Sequence, residues 1–346
     1  MKKTRIVKLG AYLIIVGLAM LYGMLSYKLH LPPYDAVHTL SDQLFGGGED
    51  STPGEYLSTN VDELISIRKP EDVTTLRDEL ITLLWGGPGL PASMPASVVT
   101  GHVDPRYADI RSLARIDKLV VAMEFGLESR IYHFIPVKPR NHLVLYHEGH
   151  EGDFYNSREQ IRKLLDNGYP VLAFSMPLLG PNNQPILQMA RLGKLKLTNH
   201  DQMSFLAPPA GHPVKYFIEP IIVALNYAEK QDGYSSASMI GISGGGWATT
   251  LAAAVDPRIV LSFPAAGSYP HHLRSNTSRD WGDYEQVDPK LYNTANYPEL
   301  YVLGAYGGRR KQLQIINKYD PCCFGGTKWE TYKDVVRGPR ARPRRR

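Results

Sequence analysis

Three groups of residues in this chain combine types and spacing that suit chemistry. The run MIGISGGGW, Met239 to Trp247, sets one hydroxyl, that of Ser243, between Gly241 and Gly245, with an apolar strand-like segment before it and a helix-like WATTLAAAV after it. A serine on a sharp strand-to-helix turn stands above the sheet, needs small neighbours because the backbone is crowded, and faces a helix N-terminus that favours negative charge. The second group is HEGHEG, His147 to Gly152, directly after the apolar HLVLY; a glycine-rich loop there can offer backbone N–H groups to an anion. The third is Asp320 in LQIINKYDP, just past another apolar run, where a carboxylate can do chemistry or merely open an Asp-Pro turn. A phosphate loop is not expected, since G-x-x-x-x-G-K-S is absent and GISGGG does not fit G-x-G-x-x-G.

A zinc helix needs H-E-x-x-H, with imidazoles four apart. His147 and His150 are three apart with Gly149 between them, so the loop is not expected to hold a metal, and either imidazole can serve simply as a hydrogen-bonding group. Cys322 and Cys323 are adjacent, which no ordinary disulfide spans, so they read as packing or as a strained vicinal pair.

Elements that would position these groups can be read from about residue 118. KLVVAMEF and SRIYHFIPV form two strands joined at Gly126; HLVLYHEG and PVLAFSMP are strands separated by the helix SREQIRKLLDNGY, opened by a capping serine. VKYFIEPIIVALNYAEKQ has helical spacing interrupted by Pro220, and ASMIGIS, RIVLSFPAAG and KQLQIINKYD complete the strands. Strands alternating with helices of this length imply an α/β domain over 118–336, a mostly parallel sheet flanked by helices. Residues 177–213, between the fourth strand and the next long helix, are expected to line or cover a pocket. His200 and Asp201 in that insertion read as surface residues, and Trp281, Asp283 and Tyr284 as ordinary packing.

The ends differ from this body. Leu9 to Tyr27 carries no charge over nineteen residues and, with basic residues before it, reads as an uncleaved transmembrane anchor within 1–28 that leaves the domain outside the cytoplasm. Residues 29–117 read as linker and irregular loops around a helical piece near VTTLRDELITLLW, with His102 and Asp104 in exposed loops. Residues 337–346 carry six arginines and read as a disordered basic tail. The head and tail hold the excess of positive charge behind the net +5, so the remaining body is acidic and no nucleic-acid partner is expected.

On Ser243 with its glycines, the strand before it, HEGHEG and Asp320, the stretch from about 118 to 335 resembles the α/β-hydrolase family. The resemblance implies that Ser243, after the fifth strand, is the nucleophile, and that the oxyanion hole uses the Gly244 amide and one from the Gly149 to His150 region. It also implies that Asp320 orients a histidine. The family's order is serine, acid, histidine, yet all eleven histidines precede Asp320, the last being His272. Either His271 or His272 substitutes as the base, or the chain stops short of the segment that would supply one, in which case the serine is a weakened nucleophile. The implied function is a membrane-anchored serine hydrolase acting by acyl transfer on a small-molecule ester, in preference to an amide, with no metal or organic cofactor. The alternative is a non-catalytic binding or scaffold protein that keeps the fold.

Overall fold

A computed structural model of the chain describes residues 15–26, a few positions between 32 and 40, and 58–337 apart from 151, 275–280, 319 and 321–323. The cysteine pair, the basic tail beyond 337 and part of the expected anchor lie outside the described residues. Two compact units are present, Met1–Ser51 and Thr52–Arg346. In the first, 15–26 is helical with exposed apolar side chains such as Ile15, Leu18 and Met24. Among the described residues no helix is long and apolar enough to cross a membrane.

The second unit is built on an eight-stranded sheet. Its strands are β1 (Ser97–Val99), β2 (Leu113–Ala122), β3 (Glu128–Pro136), β4 (Leu143–His147), β5 (Val171–Phe174), β8 (Ala237–Ile242), β9 (Ile259–Ala265) and β10 (Lys311–Gln312), while β6 (Ile186–Met189) and β7 (Gly193–Lys196) form a separate hairpin in the 177–213 insertion. The order is β1-β2-β3-β5-β4-β8-β9-β10. From β5 across to β10 every pairing is parallel, whereas β1, β2, β3 and β5 pair antiparallel. Leu143, Val144 and Leu145 of β4 and Val171 and Leu172 of β5 are all buried, as parallel strands covered on both faces require. The last strand is shorter than the apolar run suggests: after Gln312 only an isolated bridge, Ile315 with Ala265, continues it.

The longer helices of this unit are α1 (Pro70–Trp85), α2 (Arg158–Asp166), α3 (Lys215–Asp232), α4 (Gly244–Val255) and α5 (Tyr297–Ala305). α3 runs straight through Pro220. Proline in a helix interior costs about 3 kcal/mol, but Ile218, Ile221, Ile222, Val223 and Leu225 are all buried, at roughly 1.5–3 kcal/mol each, so packing wins. α1 buries Val73, Leu76, Leu80 and Leu84 in the same core as the sheet, and β1 pairs with β2. The core therefore reaches back before residue 118, into the stretch that reads as linker. Nor is Asp104 in an exposed loop: it is buried against Arg106 and Tyr132, and His102 Nε2 lies 2.9 Å from the Tyr132 hydroxyl.

Register decides where the loops emerge. His147, the last residue of β4, pairs with Gly241 of β8, so the loops leaving these strands rise side by side at the carboxyl edge. β4 connects onward to β5 on one side and β8 to β9 on the other, so the chain's direction of winding reverses between β4 and β8. Ligands of open α/β sheets bind in the crevice at such a switch point.

Candidate active site

Ser243 sits between β8 and α4 with φ 54° and ψ −123°, a conformation that non-glycine residues rarely adopt and that costs of order 1–3 kcal/mol. The surroundings hold it there. A Cβ on Gly241 would lie 2.0 Å from the Gly245 carbonyl oxygen, and one on Gly245 would lie 2.2 Å from the His147 carbonyl oxygen, so only hydrogen fits at either position. The Ser243 amide donates to the Ala265 carbonyl at 2.8 Å, tying the elbow to the end of β9. Every residue of α4 is buried, and the hydroxyls of Thr249 and Thr250 donate to the carbonyls of Gly245 and Gly246 within the helix.

The HEGHEG loop presses against the elbow from the β4 side. A Cβ on Gly149 would stand 2.7 Å from Ser243 Cβ and 3.3 Å from its Oγ. Glu148 pins the loop: its carboxylate accepts from Tyr146 at 3.1 Å and from the Ser157 hydroxyl. Ser157 therefore does not cap α2 with its side chain, as the sequence suggests, but is turned to the loop. The Gly149 amide also donates to Glu148, at 3.2 Å, which removes it as a free oxyanion donor. No described hydrogen bond occupies the amide of His150, and Gly244, as the first residue of α4, has no acceptor within its helix. Gly244 and His150 are thus the pair of expected donors that stand available beside Ser243.

The imidazole of His150 lies over the same spot. A Cβ on Gly244 would come within 2.6 Å of His150 Nδ1 and 2.5 Å of Cε1. At the far side of the ring, Nε2–H donates to Glu285 Oε1 at 2.7 Å, with Asp283 Oδ2 at 3.2 Å. Glu285, on a short helix Tyr284–Val287, is fully buried. Burial pushes its carboxyl up, but the hydrogen bond from His150 and the electrostatic pull of the two imidazoles prevail and hold it at about 2. His200 is buried, not a surface residue, and its ring centroid is 5.0 Å from that of His150. Trp281 is exposed, whereas Asp283 belongs to this cluster rather than to ordinary packing. Glu285 does not stand out in the sequence, and His200 reads there as a surface residue. They lie 135 and 50 positions from His150, and no local spacing announces a contact that only the insertion and the turn after β9 create.

Asp320, His271 and His272 are the remaining expected site residues. Asp320 stands past β10 in a turn, where its amide donates to the Asn317 carbonyl at 3.2 Å. His271 Nε2–H donates to the Gln286 carbonyl at 3.1 Å, and its ring packs edge-on against Tyr292 at 4.7 Å. Burial, with help from the Arg274 charge, depresses it to about 4. Burial likewise lowers His272. The structure thus brings together Ser243, Gly244, Gly149 and His150, and adds Glu285.

No family model matches the sequence, and no curated protein sequence matches it. Among solved structures, the chain is similar to a Bacteroides fragilis protein taken for an acetyl xylan esterase, with 16% identity over 82% of this chain and 74% of that one and a TM-score of 0.52. Acetyl xylan esterase 1 from Thermoanaerobacterium aligns at 13% identity over 81% and 88% of the two chains, with a TM-score of 0.49. With its parallel strands, its winding order and the strained serine elbow after β8, the chain has the α/β-hydrolase fold.

Proposed function

We propose that the chain is a serine hydrolase of small ester substrates. The observation that carries this reading is the left-handed Ser243 elbow, with the amides of Gly244 and His150 beside it and the His150–Glu285 pair above it. In this reading Ser243 Oγ attacks the carbonyl carbon of the ester, and its proton passes to His150 Nδ1. Glu285 holds the ring through Nε2–H, which keeps Nδ1 as the accepting nitrogen and stabilises the imidazolium. The two amides receive the oxyanion. The imidazolium then gives its proton to the leaving alkoxide, and water, activated by the same ring, releases the acyl group from Ser243. Esters are preferred to amides by analogy with what this fold most often cleaves.

His150 replaces His271 and His272 as the base here because His271 is committed to the Gln286 carbonyl and, at about 4, is a weak acceptor. A fluorophosphonate probe tests the nucleophile: labelling that disappears in Ser243→Ala supports it. An inert serine in folded protein leaves the non-catalytic binder. The further reading, that residues 9–27 anchor the domain in a membrane with the domain outside the cytoplasm, is supported by the uncharged run and the basic residues before it. Release from membranes by salt alone contradicts it; a requirement for detergent supports it.

A further inference from the structure

We propose that His150, His200, Asp283 and Glu285 form a site for one divalent cation of the zinc class, and that filling it switches off the base; the second half rests on the hydrolase reading above. One donor atom from each residue lies within 4.8 Å of all the others. Four donors bonded to zinc at about 2.0–2.1 Å in a tetrahedron stand roughly 3.4 Å apart. Here His150 Nε2 and Asp283 Oδ2 are 3.2 Å apart, His200 Nδ1 and Glu285 Oε2 3.6 Å, and His200 Nδ1 and Asp283 Oδ2 3.8 Å.

The tautomer of His200 points the same way. Its Nε2 is 2.9 Å from the Pro177 carbonyl, which can only accept, so Nε2 carries the proton and, in the neutral ring, Nδ1 holds the lone pair. That lone pair faces two carboxylate oxygens, an arrangement that repels unless positive charge lies between them. A backbone carbonyl on the remote nitrogen is also how metal-binding imidazoles are commonly oriented. A proton on Nδ1 would supply charge, but 3.6 Å is too long for a hydrogen bond to Glu285.

Glu285 Oε2 is the independent sign. The side chain is fully buried, and among the described residues no hydrogen-bond donor reaches Oε2, which points at His200. A buried carboxylate oxygen without a donor is costly, and a cation would satisfy it. Two imidazoles with two carboxylates suit zinc rather than magnesium or calcium, which prefer oxygen ligands alone. Asp283, with its side chain half exposed, leaves the site open to solvent.

Occupancy conflicts with base chemistry at His150. As a base the ring carries its proton on Nε2 and presents a lone pair at Nδ1. A cation takes the Nε2 lone pair, so the proton must sit on Nδ1, facing Gly244, and the neutral ring can no longer accept one from Ser243. No proton is gained or lost at His150; it changes nitrogen through solvent.

The test is a zinc titration of the purified full chain against a chromophoric chelator, alongside hydrolysis of p-nitrophenyl acetate. Expected are one zinc per chain, binding weakened about 100-fold in His200→Ala and about tenfold in Asp283→Asn, and hydrolysis suppressed at least about tenfold by zinc and restored by EDTA. Asp283→Asn, at an exposed position, should fold even where His200→Ala does not, and should need about tenfold more zinc for the same loss of hydrolysis. Zinc binding that is absent, or equal in all three proteins, overturns the site. Zinc bound through these residues with hydrolysis unchanged overturns the switch. A chain inert without zinc that still binds it through these residues sinks the hydrolase reading, and with it the switch, while the site stands.

Discussion

The loop after β4 and the turn after β10 both lie at the carboxyl ends of strands, and both carry residues of catalytic type, yet they are built to different tolerances. In the loop, Gly149 approaches Ser243 so closely that a Cβ would be 2.7 Å away, and Glu148 ties down the backbone through its own carboxylate. In the turn, a Cβ on Gly325 would come no nearer than 3.3 Å to Asp320. The approach to the acid in the family's usual place is thus less close, while an acid from an unexpected place, Glu285, is buried and bonded to a histidine beside the nucleophile. Position along the chain is a weaker guide to a catalytic role than the closeness of the packing around the group.

Four measurements would break or sharpen this contrast. Ser243→Ala should lower kcat for p-nitrophenyl acetate by about 10⁴-fold or more, because both regions matter only if this oxygen is the nucleophile; retained activity ends the comparison. Glu285→Gln should cost about 10³-fold in kcat with KM little changed, since an amide NH₂ facing His150 Nε2 favours the wrong tautomer, whereas Asp320→Asn should cost less than about threefold. The reverse order would return the catalytic acid to the turn after β10. Gly149→Ala should destabilise the fold by about 1–3 kcal/mol, and Gly325→Ala by less, read from denaturant midpoints. Equal losses would erase the difference in tolerance.

The smallest effect is on acid stability. Burial holds His147, at the base of the loop, neutral, moving it from its ordinary 6.5 to about 4. As pH falls below about 6.5 the unfolded chain takes up that proton while the folded one refuses it, so this contribution to stability is intact above that pH and is lost progressively down to about 4. Melting temperatures of wild type and His147→Gln from pH 7 to 4 should show a shallower decline in the variant; parallel curves would mean that the loop side is not the acid-sensitive one. The turn around Asp320, residues 317–326, contains no histidine to contribute.

Much of the scaffold is legible in the sequence because it follows local rules. The apolar runs at 143–147, 171–174 and 237–242 are strands, and the glycines around Ser243 mark the elbow, since steric crowding acts between near neighbours in the chain. Ser157 shows where local rules stop: it stands at the helix start, but a carboxylate nine positions away takes its hydroxyl. Glu285 goes unnoticed, and His200 reads as a surface residue, for the same reason at longer range. The spacing argument against a metal at HEGHEG weighs only residues adjacent in sequence, and the partners of His150 arrive from the insertion and from the segment after β9.

Nine of the twelve residues of the helix behind the nucleophile are glycine, alanine or threonine, and it is buried along its entire length. A Cβ on Gly246 would meet the Ala265 carbonyl oxygen at 2.6 Å, and the Cβ positions of Gly241 and Gly245 are already filled by backbone. Its thickness therefore works as a shim: one added methyl group near its first turn would jack the serine up from the sheet, spoiling the aim of the attacking oxygen before it cost the protein its fold.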